Sequence, residues 1–254
     1  MNYKLLIKFL FGLEMDAIPS KAIVTPFFPL KYFKGHGEKI HKEFNGRLYS
    51  GFIAEKNNIF FIVVYCGIGD RLLGDAVILL AKAGVKEVLF IGTCGGLGEV
   101  MLGDLLIPVK AFNGEGFSIY YRKNFSMEKL FEYSDNSNSD KSYIGNITQF
   151  VQKNYKGTRF IRSEVSIFTI GALSIETKEN LTAIYSRGYI GIEMELSAVY
   201  SAADVSGIKA GAILVVSDLP LINGVGQELD DNEKIIFKDS LKNIAFLAIE
   251  FISS

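Results

Sequence analysis

The chain has 254 residues, 49% of them hydrophobic and 22% charged, the balance of a globular protein with a large core. Its 27 Lys and Arg against 28 Asp and Glu leave a net charge of −1, so composition gives no electrostatic ground for a nucleic-acid or anionic-membrane partner and leaves a small ligand open. Two cysteines, Cys66 and Cys94, lie in apolar runs without a CxxC pair, which excludes a disulfide framework and a cysteine zinc site and points to a reducing cytoplasm.

Residues 3–13 read YKLLIKFLFGL, too short to span a bilayer and without a small-residue cleavage site. They predict a short amphipathic helix packed on the body or on a partner subunit, so that residues 1–20 form a helical extension. Residues 22–25 predict a buried strand stopped by Pro26 and Pro29. His36 and His41 fall in a polar stretch where a solvent-exposed loop is expected, and two histidines are too few for a metal cluster. Residues 47–55 and 59–65 read as a hairpin around Asn57-Asn58. Gly67-Ile68-Gly69 follows, then a helix over 72–83 ended by Gly84.

Residues 87–92, EVLFIG, have the continuous apolar character of a strand buried on both faces and lead into a predicted turn, Thr93-Cys94-Gly95-Gly96. A strand is expected over 104–111, and a polar surface excursion over 128–142. Strands at 164–170, 190–194 and 210–217 alternate with helices at 176–187 and 195–206, and an amphipathic helix closes the chain at 231–252. This alternation predicts a single-domain α/β fold over residues 1–254, three layers deep, with a mixed, largely parallel, twisted sheet flanked by helices. Ligands in such sheets sit at the carboxyl ends of the strands. No Gly-x-Gly-x-x-Gly fingerprint is present, so no dinucleotide cofactor is expected.

Three strand ends carry candidate chemistry. GTCGG, Gly92–Gly96, offers a flexible backbone and the Thr93 hydroxyl to an anion, or is simply a turn. GIEMEL, Gly191–Leu196, sets Glu193 and Glu195 around Met194; a carboxylate there can accept two hydrogen bonds from a vicinal diol, or Glu195 can merely favour the start of a helix. VVSD ends on Asp218, which can donate a proton to a leaving group if burial raises its pKa, or can cap the following segment.

Read in order, GIG, VLFIGTCGGL, GDLLIP, GEGFSIYY, GIEMELSAVYSAA and AILVVSD resemble the nucleoside phosphorylases of the purine and uridine phosphorylase type, a superfamily that also holds the methylthioadenosine and S-adenosylhomocysteine nucleosidases. The resemblance covers roughly residues 22–218. It implies that Glu195 holds the ribose hydroxyls, Met194 packs on the sugar and Asp218 meets the purine N7 as the glycosidic bond breaks. It further implies substrate contacts from Glu193, Cys94, Gly95, Phe168 and Ser217. Phosphate contacts are implied for Thr93, Lys31 and, from across a subunit interface, Arg47. No metal or organic cofactor is implied, only inorganic phosphate as co-substrate, and the expected assembly is a homodimer or homohexamer.

The chain departs from the family pattern at several positions. Phe27-Phe28-Pro29-Leu30-Lys31 stands where a Gly-Asp-Pro segment with a following arginine is usual, and a lysine lacks the bidentate fork. Phe90 replaces a second arginine. Leu173 stands at the base-stacking position, and Thr177 and Glu179 replace the glutamine and arginine that read uracil, so uridine is disfavoured. Arg71 is either a substitute anion ligand or a solvated residue at a helix start. Phosphorolysis is the leading expectation; a nucleosidase using water and a nucleoside-binding homologue without turnover are the alternatives.

Overall fold

The computed structural model describes residues 1–116, 125–226 and 228–254. Helix α1, Tyr3–Phe11, opens the chain and ends on Gly12 in the left-handed conformation. Its Ile7 and Phe11 are buried, and the Phe11 ring lies 4.5 Å from that of Tyr49. Strand β1 is Lys21–Thr25. Strand β2, Lys39–Asn45, is an element that sequence periodicity does not reveal, because only Phe44 of its seven side chains is buried. His41 therefore lies on a strand rather than in a loop, with Nε2 2.8 Å from Glu55 Oε2, and His36 Nε2 lies 2.7 Å from the Tyr32 carbonyl.

Strands β3, Ser50–Lys56, and β4, Ile59–Tyr65, form the expected hairpin. Asn57 and Asn58 both take positive φ, 54° and 63°, as a tight primed turn requires. Helix α2 is Asp70–Lys82. Strand β5 runs from Glu87 to Gly96, so the predicted turn at Thr93–Gly96 is strand instead. The glycines there serve close packing: a Cβ on Gly96 would sit 2.5 Å from Val100 and 2.8 Å from Val216.

Strand β6 is Leu105–Gly114, α3 is Met127–Tyr133 and β7 is Asn136–Asn138. Helix α4, Lys141–Asn154, starts on Asp140, whose side chain accepts from the Tyr143 N–H. The predicted excursion at 128–142 is thus α3, β7 and the start of α4. The polar Ser, Asn and Asp that suggest a loop are in part caps and edge residues. Strand β8 is Ile161–Ile170, α5 is Lys178–Tyr185, β9 is Gly191–Glu193 and α6 is Leu196–Ser206. Strand β10, Lys209–Asp218, the short α7, Pro220–Asn223, and α8, Asp231–Ile252, complete the chain.

The strands form one mixed, ten-stranded sheet. Alternate residues of its central strands face opposite layers. Ala22, Val24, Val88, Phe90, Ala212 and Leu214 pack under α1, α2 and α6. Ile23, Leu89, Ile91, Ile213 and Val215 pack under α4 and α8. The sheet also closes on itself at one end: β5 pairs β10, β10 pairs β6, β6 pairs β8, β8 pairs β9, and β9 returns to β5. Among the described residues, no helix is long and apolar enough to cross a membrane.

Helix α1 is tied to the β2–β3 turn by main-chain bonds, Leu48 and Tyr49 N–H both donating to the Leu10 carbonyl. Gly46 permits this approach, since a Cβ there would lie 2.3 Å from both Leu10 O and Phe11 C. Gly46→Ala is expected to cost about 1–3 kcal/mol, as overpacking does. Thermal unfolding should then show a fall of roughly 2–4 °C per kcal/mol. An unchanged midpoint would show that α1 is not held there.

Candidate active site

A cleft of about 190 Å³ opens at the carboxyl ends of the strands, where the ring of β5, β8, β9 and β10 meets the loops that follow. Its floor gathers Thr93, Cys94 and Gly95 from β5, Glu193, Met194 and Glu195 from the β9–α6 junction, and Ser217 and Asp218 from β10. Phe27, Ile68, Leu173, Ile192 and Val225 supply apolar walls, and Glu176 adds a further carboxylate. Among the described residues lining it there is no lysine, arginine or histidine.

Sheet irregularities build this floor. The pairing of β1 with β5 ends at Phe90, and that of β9 with β5 begins at Gly95, so residues 91–94 have no neighbouring strand on that side. The backbone around Thr93 is therefore open to the cleft. In β10 the register slips between Val216, opposite Cys94, and Asp218, opposite Gly95. Consecutive strand residues ordinarily face opposite ways; the bulge turns both Ser217 and Asp218 inward. The Ser217 hydroxyl lies 2.7 Å from Asp218 Oδ1 and 3.1 Å from Cys94 O, with one proton to give to either.

Glu193 and Glu195 are both buried but differ in role. Glu193 accepts from Thr169 Oγ1 at 2.5 Å and from the Glu195 and Leu196 N–H groups, each at 2.7 Å. It thereby holds the start of α6. Glu195 makes no cap bond; its Oε1 accepts from Gly69 N–H at 2.8 Å and the side chain lines the cleft. Burial pushes both carboxyls well above the usual carboxylate range, and the charge of Glu195 adds to the shift at Glu193. Burial also raises the Cys94 thiol. The Glu176 carboxyl is pushed up to about 7, first by burial and then by Asp218.

Several residues that the resemblance matched to the family's site lie outside this cleft within one chain. Phe168 is fully buried away from the cleft, its ring 5.0 Å from that of Phe112 in an aromatic cluster. Arg47 is exposed at the β2–β3 turn, with its guanidinium 5.8 Å from the Phe9 ring centre. Lys31 is exposed beside Tyr32. Phe28 and Phe90 are core residues, and only Phe27 reaches the cleft. Thr177 caps α5 by accepting from Asn180 N–H, Glu179 is exposed in that helix, and Arg71 is exposed at the start of α2. Of GEGFSIYY, residues 117–121 lie outside the described residues. Sequence reasoning misses Glu176 and Thr169. The strand-end rule points at Glu176, six residues past the end of β8, but nothing in its local sequence sets it apart.

A partly closed α/β sheet with a small acidic cleft at its strand ends has the place where such sheets take small ligands. The chain belongs to the phosphorylase superfamily, whose profile matches residues 23–253. Over 175 residues it is 27% identical to a DeoD-type purine nucleoside phosphorylase of Vibrio parahaemolyticus, a match covering 65% of this chain and 64% of that one. The chain thus spans just under two thirds of that relative's length. In three dimensions it is similar to the uridine phosphorylase of Vibrio fischeri, with a TM-score of 0.77, 17% identity and 94% of each chain covered. It is also similar to the 5′-methylthioadenosine/S-adenosylhomocysteine nucleosidase of Campylobacter jejuni, with a TM-score of 0.72, 15% identity, and 92% of this chain and 99% of that one covered. These two likenesses show the fold.

The raised Glu176 carboxyl has a consequence for stability. The folded chain keeps a proton that the unfolded chain releases from its ordinary value of 4.5 upward, so stability falls as pH rises from about 4.5 through about 7. Glu176→Gln removes that loss. Denaturant titrations should show the variant gaining on the parent as pH climbs through this window; parallel curves would mean that the carboxyl titrates as it does in water.

Proposed function

We propose that this protein cleaves the N-glycosidic bond of a purine nucleoside, with phosphate as acceptor, giving base and ribose 1-phosphate. The observation that carries the reading is the buried Glu195 carboxylate. It is held by Gly69, free of the capping duty its position would impose, and faces the same cleft as Asp218. Its oxygens can accept both ribose hydroxyls while Met194 packs on the sugar. Asp218, beside Ser217, gives a proton to the base N7, so that the base leaves neutral as the sugar becomes oxocarbenium-like. Glu176 meets no hydrogen-bond donor or cation among the described residues and offers a second acceptor to base N–H groups. Thr93, Cys94 and Gly95 bind phosphate along the open side of β5.

Within one chain Arg47 and Lys31 are not on the cleft wall. In this reading Arg47 reaches phosphate in a second copy, in a homodimer or homohexamer. Exposed Phe9 and Leu48 lie beside it and would be covered there. A second reading, hydrolysis, is favoured by one observation: four carboxylates and no cation line the cleft among the described residues, with Phe27 on its wall. Water, unlike phosphate, needs no positive charge to bind.

Base release from adenosine, guanosine and inosine with and without phosphate separates the readings. Phosphate-dependent release with ribose 1-phosphate as product is the expected result, and phosphate-independent release would establish hydrolysis. Glu195→Gln and Asp218→Asn should each lower kcat/KM by about 100-fold or more. Full activity in either variant would remove that residue from the site.

A further inference from the structure

The start of α6 is capped by residues outside it. Glu195 occupies the N-cap position, yet its side chain makes no capping bond. The Glu195 and Leu196 N–H groups donate instead to Glu193 Oε2, and the Ser197 N–H donates to Thr169 Oγ1 at 3.0 Å. Thr169 lies on β8, directly opposite Glu193 in the parallel ladder, and is fully buried. Its hydroxyl donates to Glu193 Oε1. One oxygen thus works in both directions, accepting from the helix and donating to the carboxylate that holds the rest of the helix start.

We infer that Thr169 is the positioning residue that keeps Glu195 turned into the cleft. The inference rests on the reading of Glu195 as the sugar ligand. Without the hydroxyl, the buried Ser197 N–H has no acceptor and Glu193 loses one of its three donors. Buried polar groups left unpaired seek a partner. The Glu195 carboxylate stands at the N-cap, the position from which side chains ordinarily accept from the second N–H of a helix. A Glu195 drawn back to cap its own helix leaves Gly69 and the sugar.

The test compares Thr169→Val, which keeps the shape and removes the hydroxyl, with Thr169→Ser, which keeps the hydroxyl. The diagnostic quantity is the ratio of kcat/KM for a ribonucleoside to that for its 2′,3′-dideoxy counterpart, because only the former has the hydroxyls that Glu195 grips. Thr169→Val should reduce this ratio about tenfold or more, as misplacing a positioned group does, and Thr169→Ser should retain it. A Thr169→Val enzyme of lower activity with an unchanged ratio, or a Thr169→Ser enzyme equally damaged, would overturn the proposal. Should Thr169→Val not fold, Thr169→Ala carries the same expectation. Amide exchange at Glu195–Ser197 reads the latch without turnover: it should quicken in Thr169→Val and stay at the parent's rate in Thr169→Ser, and equal rates in all three overturn the inference. A parent protein that cleaves no nucleoside would overturn the proposed function alone, and the latch would then stand or fall on exchange.

Discussion

The structure turns on the burial of two carboxylates, Glu193 and Glu195, on either side of one methionine. A buried carboxylate is costly unless hydrogen bonds replace its water. Glu193 is given three donors, and Glu195 is met by the Gly69 and Met194 main chain. Glu193 holds the start of α6, while the Glu195 side chain lines the cleft. Both stay raised towards neutrality because burial outweighs the donors.

This arrangement requires the closed end of the sheet. Strand β9 is only three residues long, yet it pairs with β8 on one side and β5 on the other. That double pairing places Thr169 opposite Glu193 and brings Glu195 to the same cleft as Thr93. Small residues make the closure possible: a Cβ on Gly191 would lie 2.7 Å from Ile167, and one on Gly95 would lie 3.0 Å from Ile192. The bulge in β10 then adds Asp218 to the same cleft. An open sheet with regular strands would leave these groups on separate edges.

Much of this was legible in the residues. Continuous apolar runs located β5 and β10, the Asn57-Asn58 turn located the β3–β4 hairpin, and the strand-end rule led to Glu193, Glu195, Ser217 and Asp218, which share one cleft. What was missed has physical reasons. Strand β2 is an edge whose side chains mostly face water, so it lacks the alternation that marks half-buried strands. Helix α4 buries Tyr143, Ile144, Ile147 and Val151 within an otherwise polar segment that begins in caps and turns. The GTCGG segment has the composition of a turn, but its glycines answer steric contacts across the ring, which no local pattern reports. Phe168 illustrates the same limit: its place in β8 was readable, its face was not. Thr169, its neighbour, shares a hydrogen-bond network with residues more than twenty positions away.

Charge ties the remaining chemistry to assembly. Two unit charges 4 Å apart interact by about 4 kcal/mol at an effective dielectric near 20. A phosphate dianion entering a cleft of four carboxylates therefore needs compensation from protons or from a cation. Raised carboxyls supply part of it, since a group whose pKa lies near neutrality can take up a proton when an anion arrives. A cation must come from outside the described lining, and Arg47 sits on the exposed turn where a second copy could use it. Under the proposed reading, phosphorolysis asks for that cation in a way that hydrolysis does not. Among the described residues one subunit lines the cleft with carboxylates and no cation, so under the proposed reading the choice of acceptor and the source of that cation are one physical question.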